Sequence, residues 1–261
     1  MTALHSAELL LDLGNSRIKW AWSGPAGLVG LSVAANDDTG VARLLAAVQT
    51  QPTTQAWLAS VVNDRARLIS ERLGELGLRV QRAQSLAALG GLRNGYDDPT
   101  QLGVDRFLAL LGGCRLWPGQ ACLVVDAGTA LTIDHLDANG HHLGGCILPG
   151  LSLMRRALAA GTDRLGAALE EHASHRADAP PSTAPAHNTR AAIEAGILSA
   201  ATGAIETQRG HPGPDPGLPL LLCGGDAALL AGCLRPPCRL LPELVLLGLA
   251  EYAGLNTHVS A

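Results

Sequence analysis

Two short stretches of this chain place a carboxylate, a glycine and a polar side chain next to one another. They are Asp12-Leu13-Gly14-Asn15-Ser16 and Asp126-Ala127-Gly128-Thr129. Glycine leaves the backbone N–H groups open to a phosphate, because no side chain blocks the approach. A carboxylate beside it suits a cation that bridges phosphates. Aligning LLLDLGNSRIKW with LVVDAGTALTID puts Asp12 on Asp126, Gly14 on Gly128 and Asn15 on Thr129, 114 residues apart. That spacing predicts a duplicated domain with two phosphate-facing hairpins. A third candidate is Gly224-Gly225-Asp226, at a strand-to-helix junction where a nucleotide can come close to the backbone. Asp105 and Arg106 fall just before or within the first turn of an apolar helix. On residue type alone, Asp105 caps that helix and complements its dipole.

The elements that must carry these residues follow from hydrophobic periodicity. Leu9-Leu10-Leu11 and Leu123-Val124-Val125 are continuous apolar runs and read as buried strands. Ile18, Trp20 and Trp22 alternate, which predicts a second strand after the turn at residues 12–16. A turn at 24–30 and a third strand at 31–35 follow. Asp37-Asp38-Thr39 can cap a helix over 41–49, whose apolar face is Val41, Leu44, Leu45 and Val48. Residues 55–62 read as a strand, and Asn63-Asp64 cap a helix to Gly74. A short strand follows at 78–82. The polar, turn-rich stretch 94–106, which includes Tyr96, leads into a helix at 107–116. Residues 131–136 and 143–148 form a hairpin around a turn at 137–140. Helices are predicted at 150–160, 190–205, 227–233 and 244–252, and a strand at 220–223. Gly196 and Gly203 would let a second helix pack closely on 190–205. Residues 161–187 and 211–219 read as loops, the first over an active site. His172 and His175, and likewise His141 and His142, read as solvated faces rather than a metal site.

The chain has 261 residues, 47% hydrophobic and 16% charged, which suffices for a sizeable core in two domains and excludes wholesale disorder. The net charge of −4, with only 3% aromatic residues and no basic stripe, gives no footprint for nucleic acid. No apolar run reaches the roughly 18 residues of a membrane helix, and no basic leader with a long apolar region opens the sequence. The six scattered cysteines read as buried or half-buried free thiols, and a cytoplasmic setting fits them.

The sequence resembles the type III pantothenate kinase family of the acetate/sugar kinase–Hsp70–actin superfamily. Asp12-Leu13-Gly14-Asn15-Ser16 resembles that family's first phosphate loop, with serine in place of threonine, and Asp126-Ala127-Gly128-Thr129-Ala130 its second. Gly103-Val104-Asp105-Arg106 matches a Gly-x-Asp-Arg signature. Gly144-Gly145-Cys146-Ile147-Leu148-Pro149-Gly150 matches Gly-Gly-x-Ile-x-Pro-Gly. Thr189 with Ala192-Ile193 and Gly196 resembles a further family segment. Each Asp-x-Gly is a weak signal; five signatures in order are a strong one.

The resemblance implies an α/β fold of two ribonuclease H-like (actin-like) domains in tandem, 1–117 and 118–261, the second carrying dimerisation. The active site would lie in the cleft between them. It implies transfer of the ATP γ-phosphoryl group to the primary hydroxyl of pantothenate, opening coenzyme A synthesis, with magnesium, a potassium or ammonium ion and a homodimer. By the same resemblance Asp12, Leu13, Gly14, Asn15, Ser16, Arg17, Ile18, Lys19 and Thr129 bind ATP, Asp12 holding magnesium through the phosphates. Asp126 helps hold the monovalent cation, and Asp105 is the catalytic base. Tyr96, Gly103, Val104, Asp105 and Arg106 bind pantothenate, and Thr189 closes that pocket from this subunit or the other. Two other readings remain open: a regulatory accessory factor for transcription on the same scaffold, and another small-molecule kinase of the superfamily. Turnover with pantothenate separates them.

Overall fold

The computed structural model describes residues 7–24, 27–161, 182–210 and 217–255. Its elements follow the apolar pattern closely. The run at Leu9 forms β1 (Leu9–Leu13), whose first three leucines are fully buried because the strand is central in its sheet. The alternating segment forms β2 (Arg17–Gly24), antiparallel to β1 with Asp12 opposite Lys19. After β3 (Gly27–Ala35) come α1 (Asp38–Thr50), β4 (Gln55–Ser60), α2 (Asn63–Glu75) and β5 (Arg79–Arg82). These strands form one sheet in the order β3-β2-β1-β4-β5, with β4 parallel to both β1 and β5. The apolar faces of α1 and α2 pack on it through Val41, Leu44, Ile69 and Leu73.

A small ribbon, β6 (Ala88–Leu89) and β7 (Leu92–Arg93), precedes α3 (Val104–Leu116). The second sheet repeats the first. It contains β8 (Cys122–Ala127), β9 (Ala130–Leu136), β10 (His142–Pro149), β11 (Leu220–Cys223) and β12 (Cys238–Leu240), in the order β10-β9-β8-β11-β12. Third-second-first-fourth-fifth is thus the order in both sheets, and β11 is parallel to β8 and β12. The helices here are α4 (Leu151–Gly161), α5 (Thr189–Arg209) and α6 (Ala227–Ala231), followed by α7 (Leu244–Tyr252). Leu123, Val125 and Leu222 of the sheet meet Ile197, Ala201 and Ile205 of α5 in one core.

Two compact units result. One is Met1–Ala121 with Leu136–Gly144 and Glu243–Ala261; the other is Cys122–His135 with Gly145–Pro242. The apolar helix α7 packs against α3 within the first.

Several expectations are adjusted. β3 starts at Gly27 rather than Leu31, and residues 25–26 of the expected turn lie outside the described residues. Asp37 caps α1, accepting from the Gly40 N–H at 2.7 Å. Asn63 does not cap α2: Val62 holds that position, and the Asn63 oxygen accepts from Arg82 instead. α6 is shorter than predicted, and α5 extends to Arg209. Of the expected loops, residues 162–181, with His172 and His175, and residues 211–216 lie outside the described residues. His142 is not solvated but 2% exposed, because it occupies the inward phase of β10. None of the six cysteines forms a disulfide. Among the described residues no helix is long and apolar enough to cross a membrane.

Candidate active site

In the first unit, the turn from β1 to β2 is closed by the Gly14 N–H donating to the Arg17 carbonyl at 3.0 Å. Asp12 sits at the end of β1, its Oδ2 3.8 Å from Nζ of Lys19, and both side chains are 13% exposed. Asn15, Ser16 and Arg17 are exposed. Leu13 and Ile18 point into the core, so only their backbone can meet a ligand. A residue with no sequence signal holds this turn. Asn36, just past β3, donates its side-chain N–H to the Gly14 carbonyl at 2.8 Å and its backbone N–H to the Ser16 carbonyl at 3.0 Å. A Cβ on Gly14 would find only the Arg17 carbonyl, at an ordinary 3.5 Å. The fold therefore does not require glycine there.

The same unit holds the Gly-x-Asp-Arg segment. Gly103 is the N-cap of α3, with its carbonyl accepting from the Phe107 N–H at 2.9 Å. Val104 opens the helix, and Asp105 follows in its first turn. The Asp105 carboxylate accepts from the Arg106 N–H at 2.8 Å, at the positive end of the helix. Arg106 is only 6% exposed. Its guanidinium donates to the Tyr96 hydroxyl at 2.7 Å and lies 5.5 Å from the centre of that ring. Tyr96 is half-buried. Its loop is organised by Asn94, which accepts from the Tyr96 N–H and donates to the carbonyls of Leu86 and Pro99. The structure thus brings Tyr96, Asp105 and Arg106 together and seats Gly103 and Val104 beside them.

In the second unit, Gly128 and Thr129 join β8 to β9, and the Gly128 N–H donates to the Ala130 carbonyl at 3.0 Å. Two glycines wall this turn. A Cβ on Gly150 would strike the carbonyls of Gly128 and Thr129, and the Gly150 N–H donates to the Thr129 carbonyl at 3.0 Å. A Cβ on Gly224, whose φ is +93°, would strike the Asp126 carboxylate and the Ala127 backbone. The Asp226 N–H then donates to the Ala127 carbonyl at 3.0 Å. Gly145 packs as closely on Ile133 and Asp134. The Gly-Gly-x-Ile-x-Pro-Gly segment is therefore a backbone clamp on β9 and on the Thr129 turn. Thr189 opens α5 and is exposed, behind the Asn188 cap, whose oxygen accepts from Ala191.

Two mixed sheets of the same strand order, each with an Asp-x-Gly turn leaving its central strand, define an α/β protein of the actin-like class. Solved structures agree on the fold. The chain aligns with a conserved protein from Campylobacter jejuni, described as of the Baf family of transcriptional activators, at a TM-score of 0.60 and 19% identity, over 94% of this chain and 98% of that one. It aligns with ADP-bound MreB5 of Spiroplasma citri at a TM-score of 0.51 and 12% identity, over 94% and 95%. The type III pantothenate kinase profile matches residues 8–210. A type III pantothenate kinase of Azoarcus sp. is 40% identical over 250 residues, spanning 95% of this chain and 91% of the relative. The chain belongs to the type III pantothenate kinase family.

Proposed function

We propose that the chain transfers the γ-phosphoryl group of ATP to the primary hydroxyl of pantothenate, giving 4'-phosphopantothenate. Family membership supports ATP as the donor and pantothenate as the acceptor. The observation that carries the residue roles is the joining of Asp105, Arg106 and Tyr96 into one hydrogen-bonded set at the start of α3, in the unit that also holds the Asp12 turn.

Phosphoryl transfer passes through a loose transition state, so catalysis is positioning and charge neutralisation. Backbone N–H groups of the Gly14 turn, with the side chains of Asn15, Ser16 and Lys19, would hold the triphosphate. Asp12 would orient magnesium through the phosphates, and magnesium supplies neutralisation of charge on the β- and γ-oxygens. Thr129 would hydrogen-bond a phosphate from the second turn. Arg106 would present its planar fork to pantothenate, with Tyr96, Gly103 and Val104 shaping that pocket. Asp105 would take the alcohol proton as the oxygen attacks phosphorus. Asp126 fits a monovalent cation. Its carboxylate lies close to Gly224, with the Ala127 carbonyl beside it as a further oxygen donor.

The homodimer belongs to the same proposal. α4 and α5 line an apolar groove of about 490 Å³ with Leu153, Met154, Leu158, Ile193 and Ile197 on its walls. Gly196 borders the groove, and a Cβ there would meet nothing within 4 Å. Thr189 starts the same helix, so pairing through this face would bring it near a second copy. A cytoplasmic location fits the absence of disulfides at all six cysteines.

The test is a coupled assay of the purified chain with ATP, magnesium and potassium. Pantothenate-dependent ADP release with formation of 4'-phosphopantothenate is expected. ATP hydrolysis that pantothenate leaves unchanged would refute the reading and leave the regulatory or alternative-kinase readings.

A further inference from the structure

We infer that His142 is a positioning residue of the acceptor pocket: it holds the Tyr96 ring, and through the Tyr96 hydroxyl it holds the Arg106 guanidinium. This inference rests on the assignment of Tyr96 and Arg106 to pantothenate.

His142 is the first residue of β10 and is 2% exposed. Its ring lies on that of Tyr96 with centroids 5.7 Å apart and planes 21° from parallel. Such an offset stack restricts the tyrosine to one ring orientation and so fixes where its hydroxyl points. That hydroxyl accepts from Arg106 at 2.7 Å, and Arg106 in turn gives its backbone N–H to the Asp105 carboxylate at 2.8 Å. A chain of contacts thus runs from His142 to the proposed base. A guanidinium binds a planar or forked acceptor well only when its fork is held in orientation. The stack therefore determines how much ordering must accompany substrate binding.

The backbone reinforces the stack. Gly95, next to Tyr96, lies so close to the His142 carbonyl that a Cβ would collide with it. Arg93 donates its N–H to the Gly140 carbonyl at 2.8 Å and bridges to His141. The β9–β10 turn is itself pinned by Asp137, whose Oδ1 accepts from the N–H groups of Asn139 and His141 at 2.8 and 2.7 Å. Every one of these residues lies in the first unit. The β9–β10 turn and the start of β10 brace the loop that carries Tyr96, and His142 supplies a side-chain contact with that ring.

The test uses the full chain with His142→Leu, which fills the space without an aromatic ring, and His142→Phe, which restores one. KM for pantothenate is expected to rise about three- to tenfold in the leucine variant, the loss of one stacking contact. KM for ATP and kcat should stay within about twofold of wild type, since the defect lies in acceptor binding. Phenylalanine should recover the pantothenate KM. In a Tyr96→Ala background, His142→Leu should add nothing, because the residue it acts through is gone. Should leucine prevent folding, His142→Gln takes its place. Equal rises in both KM values, a lower melting temperature with unchanged KM, phenylalanine no better than leucine, or full additivity with Tyr96→Ala would each overturn the inference. Lack of pantothenate turnover in the wild type would instead overturn the kinase reading itself.

Discussion

The turns after β1 and after β8 share a sequence pattern, yet the molecule holds them by different means. The first is polar, and side chains add to its backbone bonds: Lys19 faces Asp12, and the Asn36 side chain donates to the Gly14 carbonyl. The second is held by backbone. Gly150 and Gly224 pack so closely on it that neither tolerates a Cβ, while Thr129 and Asp126 project from a turn one residue shorter between its strands. The pattern glycines, Gly14 and Gly128, meet only ordinary contacts when a Cβ is added. Glycine thus serves two purposes. At 150 and 224 it satisfies the fold, and at 14 and 128 it leaves room that the fold itself does not need. Two sheets of the same strand order carry the same turn pattern in different surroundings, with an Asp12–Lys19 pair at the first and close backbone packing at the second.

The contrast can be broken by substitution. The largest effect is expected from Asp12→Ala, which should lower kcat/KM for ATP by about 100-fold or more while KM for pantothenate moves little. Wild-type nucleotide kinetics would mean that the first turn does not grip phosphate. Next, Gly150→Ala should cost about 1–3 kcal/mol of stability in chemical denaturation, because a methyl must displace the Thr129 backbone. Gly14→Ala should instead stay within about 0.5 kcal/mol of wild type and lose affinity for ATP. The same stability loss at both sites would erase the contrast between the glycines. Asp126→Asn should remove the dependence of rate on potassium while leaving nucleotide affinity in place, and an unchanged potassium titration would assign the cation elsewhere.

The smallest effect lies at the other end of the second sheet, away from its turn. Buried Arg209 donates to the carbonyls of Leu218, Arg235 and Pro237, where β11 and β12 begin. Glu206 pairs with Arg235 at 2.6 Å and with Arg209 at 3.6 Å. Burial pushes the Glu206 carboxyl up, but the hydrogen bonds and charge of Arg235, with Arg209 adding to them, bring it below its usual value. A depressed carboxylate stabilises the fold above its unfolded pKa and stops doing so as pH falls through the folded one. Glu206→Gln should therefore lower the melting temperature at neutral pH, and the gap to wild type should close below about pH 4. A gap that widened in acid would contradict the pairing.

Much of this was legible in the sequence. Continuous apolar runs mark β1, β8 and β11, and the repeated Asp-x-Gly points to two sheets. β6, β7 and β12 were not, since two or three residues are too few to show alternation. Asn36 escaped because its bond to Gly14 joins residues 22 apart along the chain, and an asparagine after a strand is unremarkable there. His142 was misread for a physical reason. In β10 the apolar residues Leu143 and Ile147 face outward, 57% and 61% exposed, and the histidine faces in. The inward phase also carries Cys146 and Leu148, which pack on the core, so both faces of β10 hold apolar residues and the pattern does not mark the histidine's side. The capping view of Asp105 was partly right, since its carboxylate does accept a first-turn N–H, though Gly103 holds the cap position.

The roles proposed for both turns have meaning only if an acid receives the proton of the attacking alcohol. The most direct measurement is turnover of Asp105→Asn, made alongside its melting temperature and its affinity for a non-hydrolysable ATP analogue. Turnover is expected to fall by about 10²- to 10⁴-fold with both other quantities near wild type, as for loss of a general base. Turnover close to wild type would contradict the account.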